Sequence, residues 1–201
     1  MEIATALFTT ETERIIAFIA GAILWSAQIM LIRDVWRQAI HISILSWVGW
    51  GLLMGTGVLS QIVESGWEWN QMGLLLSAVG CFCIAGAAVW KWHFRLERAD
   101  RWYLILGLLC MIVYITSKDP WITTVFAILA DFIVGVPTLI AAYQHPASQR
   151  THAWMVGGIS WTLTLLVCIG HDWLYALFPI YLWIYNWAMV VLTRRRAEKI
   201  I

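Results

Sequence analysis

The stretch from residue 121 to residue 143 is WITTVFAILADFIVGVPTLIAAY, an apolar run that carries a single acidic residue, Asp131. A helix needs ~20 mostly apolar residues to cross the ~30 Å hydrocarbon core of a bilayer, and this run is long enough. A strand of a membrane barrel would alternate between apolar and polar residues, which this run does not do. The stretch therefore predicts a transmembrane helix that holds a carboxyl group.

Six further segments of the 201-residue chain have the same apolar character, and the fourth is the shortest. The hydrophobic fraction is 61%, the charged fraction is 12% and the mean hydropathy is +0.75. Soluble domains have ~45–50% apolar and ~25% charged residues, so a soluble globular domain and a disordered chain are excluded. The chain is predicted to be an all-α membrane protein and a single membrane domain, 1–201. The seven predicted spans are 15–32, 42–63, 71–90, 102–117, 121–143, 153–170 and 173–193.

Several functional classes lack the residues that they need. The net charge of +1 excludes an electrostatic site for nucleic acid, and the four cysteines lie in apolar runs rather than in a disulfide framework. The histidines lie at span ends or in connections, and the seventh span has no lysine, which argues against haem and retinal. With no metal-ligand spacing, phosphate loop or nucleophile motif, we expect no cofactor, no metal and no enzymatic activity.

The basic residues predict how the spans are oriented. Of the thirteen Lys and Arg residues, eleven fall on one side of the predicted membrane and two on the other. Because cytoplasmic connections are enriched in Lys and Arg, the N-terminus is predicted outside and the C-terminus in the cytoplasm, in a plasma (inner) membrane. The start, Met1 to Glu13, has no basic region or cleavage site, so the first span is expected to act as the insertion signal.

The fifteen tryptophans divide by their depth in the predicted spans. An aromatic belt at the membrane surfaces accounts for nine, which need no functional interpretation. These nine are Trp36, Trp67, Trp69, Trp90, Trp92, Trp102, Trp121, Trp154 and Trp173. The deeper six either pack and face lipid or wall a pocket for a small organic molecule. They are Trp25, Trp47, Trp50, Trp161, Trp183 and Trp187.

Seven spans divide into two groups of three and one linker, and the sequence carries a trace of this repeat. Ser46-Trp47 opens the second span, and Ser160-Trp161 lies in the sixth. A single helix between two three-helix units makes the units parallel, a plan known among transporters. We therefore predict a first repeat at 15–90, a linker helix at 102–117 and a second repeat at 121–193.

This plan resembles the PQ-loop superfamily, which includes SWEET-like sugar transporters, and it is also the architecture of PnuC-like vitamin-precursor transporters. The family's Pro-Gln pair is represented by Ala27-Gln28 in the first repeat and by Pro137-Thr138 in the second. The resemblance implies a pocket with a Trp on the second helix and an Asn on the third helix of each repeat. Trp161 and Asn186 match in the second repeat. In the first, Trp47 or Trp50 matches, and Cys83 lies near the Asn186 equivalent.

Three polar residues lie inside predicted spans. Asp131 is ~15 Å from the predicted outer surface, near the midplane, and no Lys or Arg lies at a matching depth. A charge there is costly, so the carboxyl group either couples transport to protons or substrate, or is a neutral acid bonded to a neighbouring Ser or Thr. Asn186 and Gln28 either contact a polar ligand or form hydrogen bonds between helices.

Pro137 and a group of glycines affect how the helices bend and pack. Pro137 removes one backbone hydrogen bond inside the fifth span and provides either a hinge or a static kink. The glycines of the second span favour close helix contact. They are Gly49, Gly51, Gly55 and Gly57.

These observations predict a small-solute transporter that works by alternating access around a midplane pocket. The expected substrate is a sugar, a nucleoside or a vitamin precursor, and the other expected partners are the lipid bilayer and, in a homodimer, a second copy. The predicted substrate-binding residues are Trp47, Trp50, Trp161, Asn186 and Gln28. Asp131 is predicted to couple protons or substrate, and Pro137 to act as a hinge. The alternative is a non-transporting receptor or interaction protein on the same fold.

Overall fold

The computed structural model describes residues 10–65, 72–91, 98–117, 119–169 and 173–194. Within these ranges the chain forms seven α-helices and a short 3₁₀ helix, Pro146–Gln149, with no strand. Three of the predicted belt residues, Trp67, Trp69 and Trp92, and the start of the chain, 1–9, lie outside the described residues. The helices are α1 (Thr10–Trp36), α2 (Ile44–Ser65), α3 (Met72–Lys91), α4 (Arg98–Thr116), α5 (Pro120–Gln144), α6 (Ala153–Val167) and α7 (Leu174–Arg194).

The predicted all-helical fold with seven helices is confirmed for the described chain. Helix α5 extends one residue beyond the predicted span at each end, whereas α6 ends at Val167, three residues earlier than predicted. The start of α5 has a local cause. The Asp119 side chain accepts hydrogen bonds from the backbone N–H groups of Trp121 and Ile122, at 2.8 and 3.1 Å, and Pro120 occupies the first helical position. The helix continues without a break through Pro137.

Among the described residues, four helices are long and apolar enough to cross a membrane. They are α1, α3, α5 and α7, while α6 and the first part of α2 are apolar but shorter. Many large apolar side chains on these helices face outward, including Phe18 with 62% of its surface exposed and Val191 with 63%. Such a surface suits hydrocarbon better than water.

Six of the helices contact one another in a closed ring. Helix α1 packs between α3 and α6, and α2 packs between α3 and α5. Helix α7 completes the ring by packing between α5 and α6. Helix α4 lies outside the ring, where it packs mainly on α5 and more weakly on α2. The ring surrounds the buried polar residues, so it defines where a site can form.

Small residues allow α2 and α4 to approach α5 closely on two sides of Val134. A Cβ atom added to Gly49 of α2 would lie 3.0 Å from the Val134 side chain, and one added to Gly107 of α4 would lie 2.8 Å from it. Val134 is buried, and its β-branched side chain has little rotamer freedom in a helix. Gly49 thus has the packing role that was predicted for the glycines of the second span.

Replacing Gly107 with alanine is expected to destabilise the protein by ~1–3 kcal/mol, because the new methyl group overlaps a side chain that cannot move away. Gly86→Ala is the matched control, since a Cβ atom at Gly86 meets nothing within 4 Å. The control should be neutral or slightly stabilising, because alanine favours a helix more than glycine does. Thermal unfolding of the detergent-purified variants measures both effects. Equal melting temperatures for the two variants would contradict the packing described.

Candidate functional site

A cavity of about 70 Å³ lies within the ring of helices. Each of the six ring helices contributes side chains to its wall, and α4 contributes none of the described lining residues. The volume has room for roughly two or three water molecules at ~30 Å³ each, or for a solute with about as many non-hydrogen atoms. The cavity is therefore a candidate site for a small molecule at the place where the six helices meet.

Six of the seven predicted site residues line this cavity. They are Gln28, Trp47, Trp50, Asp131, Trp161 and Asn186. Pro137 is half-buried in α5 and is not among the described lining residues. The structure brings the six together from five helices, and their roles toward a substrate stay predictions.

Asp131 is the buried acidic side chain of the described chain, with 1% of its surface exposed. Its Oδ2 accepts a hydrogen bond of 2.7 Å from the Tyr181 hydroxyl of α7, and the Trp50 indole N–H donates to its backbone carbonyl at 3.1 Å. Its Oδ1 is buried and accepts no hydrogen bond from the described residues. The partner of the carboxyl group is therefore a tyrosine, not the serine or threonine considered from the sequence.

Four aromatic rings of the cavity wall contact one another in a closed cycle. Trp47 packs edge-on against Trp50 with ring centroids 5.0 Å apart, and Trp50 packs edge-on against Tyr185 at 5.5 Å. Trp154 closes the cycle, at 6.4 Å from Tyr185 and 6.1 Å from Trp47. Gly135 makes room for this arrangement, since a Cβ atom there would lie 2.9 Å from the Trp50 ring. The cavity thus has an aromatic wall beside its carboxyl group.

The prediction that Trp154 belongs to a surface belt was wrong. Its side chain is 5% exposed, lines the cavity, and donates from the indole N–H to the Gln149 carbonyl at 3.2 Å. The contact with Trp47 also shows that Ser46-Trp47 and Ser160-Trp161 lie at different depths in the ring. Trp47 lies beside Trp154, and Trp154 precedes Trp161 by about 10 Å along α6.

Two amides lie on the wall and differ in their hydrogen bonds. The Gln28 amide donates across to α3, to the Ser77 carbonyl at 3.1 Å and the Ser77 hydroxyl at 3.2 Å. Gln28 thus forms the predicted bond between helices and also lies on the cavity wall, while its contact with a ligand stays a prediction. The Asn186 amide donates within its own helix, to the Leu182 carbonyl at 2.8 Å. A Cβ atom on Gly157 would lie 2.5 Å from Asn186 Oδ1, so this amide requires glycine opposite it.

Cys83, which the sequence places near the equivalent of Asn186 on α3, is not among the described residues that line the cavity. Cys83 is exposed, while Cys81 is buried and lines the cavity. The two residues are separated by ~200° around a helix, so they face opposite sides. Tyr181 and Tyr185 were not predicted as site residues either, although their spacing of four puts them on one face of α7.

The connections at one end of the ring are joined to each other. The backbone N–H of His41, after α1, donates to the Ser148 carbonyl at 2.8 Å, and the Gln149 side-chain amide donates to the His41 carbonyl. The Thr151 hydroxyl donates to the Asp34 carboxylate at 2.7 Å. These contacts join the two connections at the end of the ring at which Trp154 and Trp47 meet.

Comparison with known proteins identifies no relative. No protein-family model, curated protein or solved structure matches this chain. The resemblance to the PQ-loop superfamily therefore stays a prediction. Among the described residues, no group of three or more His, Cys, Asp or Glu side chains is placed to hold a metal ion.

The Tyr181–Asp131 hydrogen bond is expected to stabilise the fold, because it satisfies a carboxyl oxygen removed from water. Tyr181→Phe should lower the free energy of unfolding by ~1–3 kcal/mol, the cost of leaving a buried acceptor without its donor. In an Asp131→Leu background the same substitution should cost less than ~0.5 kcal/mol, since the acceptor is absent. Unfolding in mixed detergents measures the four free energies of this cycle. If Tyr181→Phe lowered the free energy of unfolding equally in both backgrounds, the Tyr181 hydroxyl would not stabilise the fold through Asp131.

Proposed function

We propose that this protein is a small-solute membrane transporter that binds its substrate in the cavity within the ring. The observation that carries the proposal is the composition of the cavity wall. Six helices supply this wall, which combines a buried carboxyl group, two amides and a cycle of aromatic rings. Sites for small molecules are typically apolar cavities with a few placed polar groups. The resemblance suggests sugars, nucleosides and vitamin precursors as solutes, and all three are larger than the cavity of about 70 Å³ in this arrangement of the ring.

We further propose that the ring is embedded in a plasma (inner) membrane with the N-terminus outside. Four long apolar helices and their outward-facing apolar side chains support this placement. The orientation rests on the eleven basic residues of one predicted side. Under this orientation the joined connections of His41 and Ser148 lie at the cytoplasmic end.

The order of helices in the ring supports a repeat of three helices on each side of α4. Around the ring the order is α1, α3, α2, then α5, α7, α6, so the second half follows the first in the same order. The buried positions of the first helices also correspond, with the same spacing in each. They are Ala20, Leu24 and Gln28 in α1, and Ala130, Val134 and Thr138 in α5.

The ring has two halves, α1 to α3 and α5 to α7. Alternating access follows from this arrangement if the two halves rock against each other. The halves meet at two interfaces, α1 with α6 and α2 with α5, and the cavity lies between them. Opening toward the cytoplasm requires the bonds from His41 to Ser148 and from Thr151 to Asp34 to break. These exposed and half-buried hydrogen bonds contribute ~1 kcal/mol each, which thermal motion and substrate binding can overcome.

Cys81 offers a direct test of access, because it lines the cavity. A variant that keeps Cys81 but has Cys83, Cys110 and Cys168 replaced by serine is reconstituted into liposomes. A charged, membrane-impermeant thiol reagent should modify Cys81 when it is added from either side. Mass spectrometry of the intact protein quantifies the modification.

The matched control keeps Cys83 in place of Cys81. Cys83 is exposed on the outer surface of the ring, in hydrocarbon under the proposal, so the charged reagent should modify it from neither side. Modification of Cys81 from one side only would contradict alternating access and would favour a non-transporting receptor.

A further inference from the structure

The cavity wall has an acidic group but no basic one. Asp131 lies on the wall, and none of the described lining residues is Lys, Arg or His. We propose that the transported solute is a small organic cation, an ammonium group with short apolar substituents. This inference rests on the proposed transport function and names the substrate class of the same cavity.

The carboxyl group supplies the electrostatic part of the recognition. Tyr181 donates to one carboxyl oxygen, and the second, Oδ1, is buried without a partner among the described residues. A carboxylate in a low-dielectric interior is stabilised by a cation at short range, whereas an anion there would be repelled. With the substrate bound, the charge of Asp131 is neutralised by a group that arrives and leaves.

The aromatic rings supply the second part. Trp47, Trp50, Tyr185 and Trp154 form a cycle with neighbouring centroids 5.0 to 6.4 Å apart, and all four line the cavity. Ring faces attract cations within ~6 Å of the centroid, and the attraction is strongest for Trp and grows when water is excluded. Walls of this kind are a known solution for ammonium groups that carry alkyl substituents.

The volume limits the size of the cation. About 70 Å³ accommodates roughly three non-hydrogen atoms, which is the size of dimethylammonium and well below that of a hexose. A neutral molecule of similar size, such as ethanol, has a similar apolar surface but no charge. Comparing these two probes isolates the contribution of charge.

The test is thermal unfolding of the detergent-purified protein with dimethylammonium chloride, with ethanol, and with sodium chloride at equal ionic strength. Dimethylammonium is expected to raise the melting temperature by several degrees in a saturable way, and the other two are not. Asp131→Asn should weaken the apparent affinity at least tenfold. Trp161→Leu, at a cavity residue whose side chain forms no hydrogen bond with the described residues, should weaken it severalfold, whereas Trp90→Leu, at a position 79% exposed, should leave it unchanged.

Two outcomes would overturn the inference: equal stabilisation by ethanol, or no saturable stabilisation by the cation up to tens of millimolar. If Asp131→Asn does not fold, the comparison of Trp161→Leu with Trp90→Leu still shows whether the cation binds in the cavity. Uptake of radiolabelled dimethylammonium into liposomes, above the level in protein-free liposomes, tests transport separately. Binding without uptake keeps the cation class and contradicts the transporter, while uptake of a neutral solute without cation binding contradicts the cation class alone.

Discussion

A carboxyl group in the middle of an apolar helix constrains how that helix can pack. In the proposed membrane, Asp131 cannot face hydrocarbon without a large cost, so α5 must turn this residue toward the interior of the ring. The two helices that flank α5 then supply its hydrogen bonds, Tyr181 from α7 to the side chain and Trp50 from α2 to the carbonyl. One acidic residue thus links three neighbouring helices and sets the rotation of α5.

Small residues on the same face of α5 allow the aromatic side chains to reach this group. Gly135 lies one turn beyond Asp131, its carbonyl accepts the Tyr185 hydroxyl at 2.9 Å, and a side chain there would collide with Trp50. Gly157 of α6 makes the same kind of room for Asn186. Because the bulky groups come from one helix and the space from its neighbour, the cavity depends on pairs of positions rather than on single residues. Close packing through small residues is a general feature of helices in bilayers.

Much of the architecture follows from apolar run length, and the ends of α5 differ from the predicted span by one residue each. The depth of Asp131 and the tryptophan content also led to six residues that share one cavity. The sequence did not predict which face of each helix turns toward the cavity. A helix that is apolar on every side has no polar stripe to mark its buried face, so the sequence did not distinguish Cys81, which lines the cavity, from the exposed Cys83. Trp154 was misassigned for a related reason, since a tryptophan near a helix end can face lipid or the interior, and only the contact with Trp47 distinguishes them.

The distribution of the site between the two halves of the ring bears on how binding could drive movement. Asp131, Tyr181 and Tyr185 belong to α5 and α7, whereas Trp47 and Trp50 belong to α2. A cation held against the carboxylate by one half and against indole rings by the other gains most when both halves are close. A ligand shifts a conformational equilibrium only by the difference in its affinity for the two states, and this division creates such a difference. In the proposed transporter, the bound solute therefore favours the conformation in which the two halves are close together. Release on either side requires the carboxylate and the indole rings to separate.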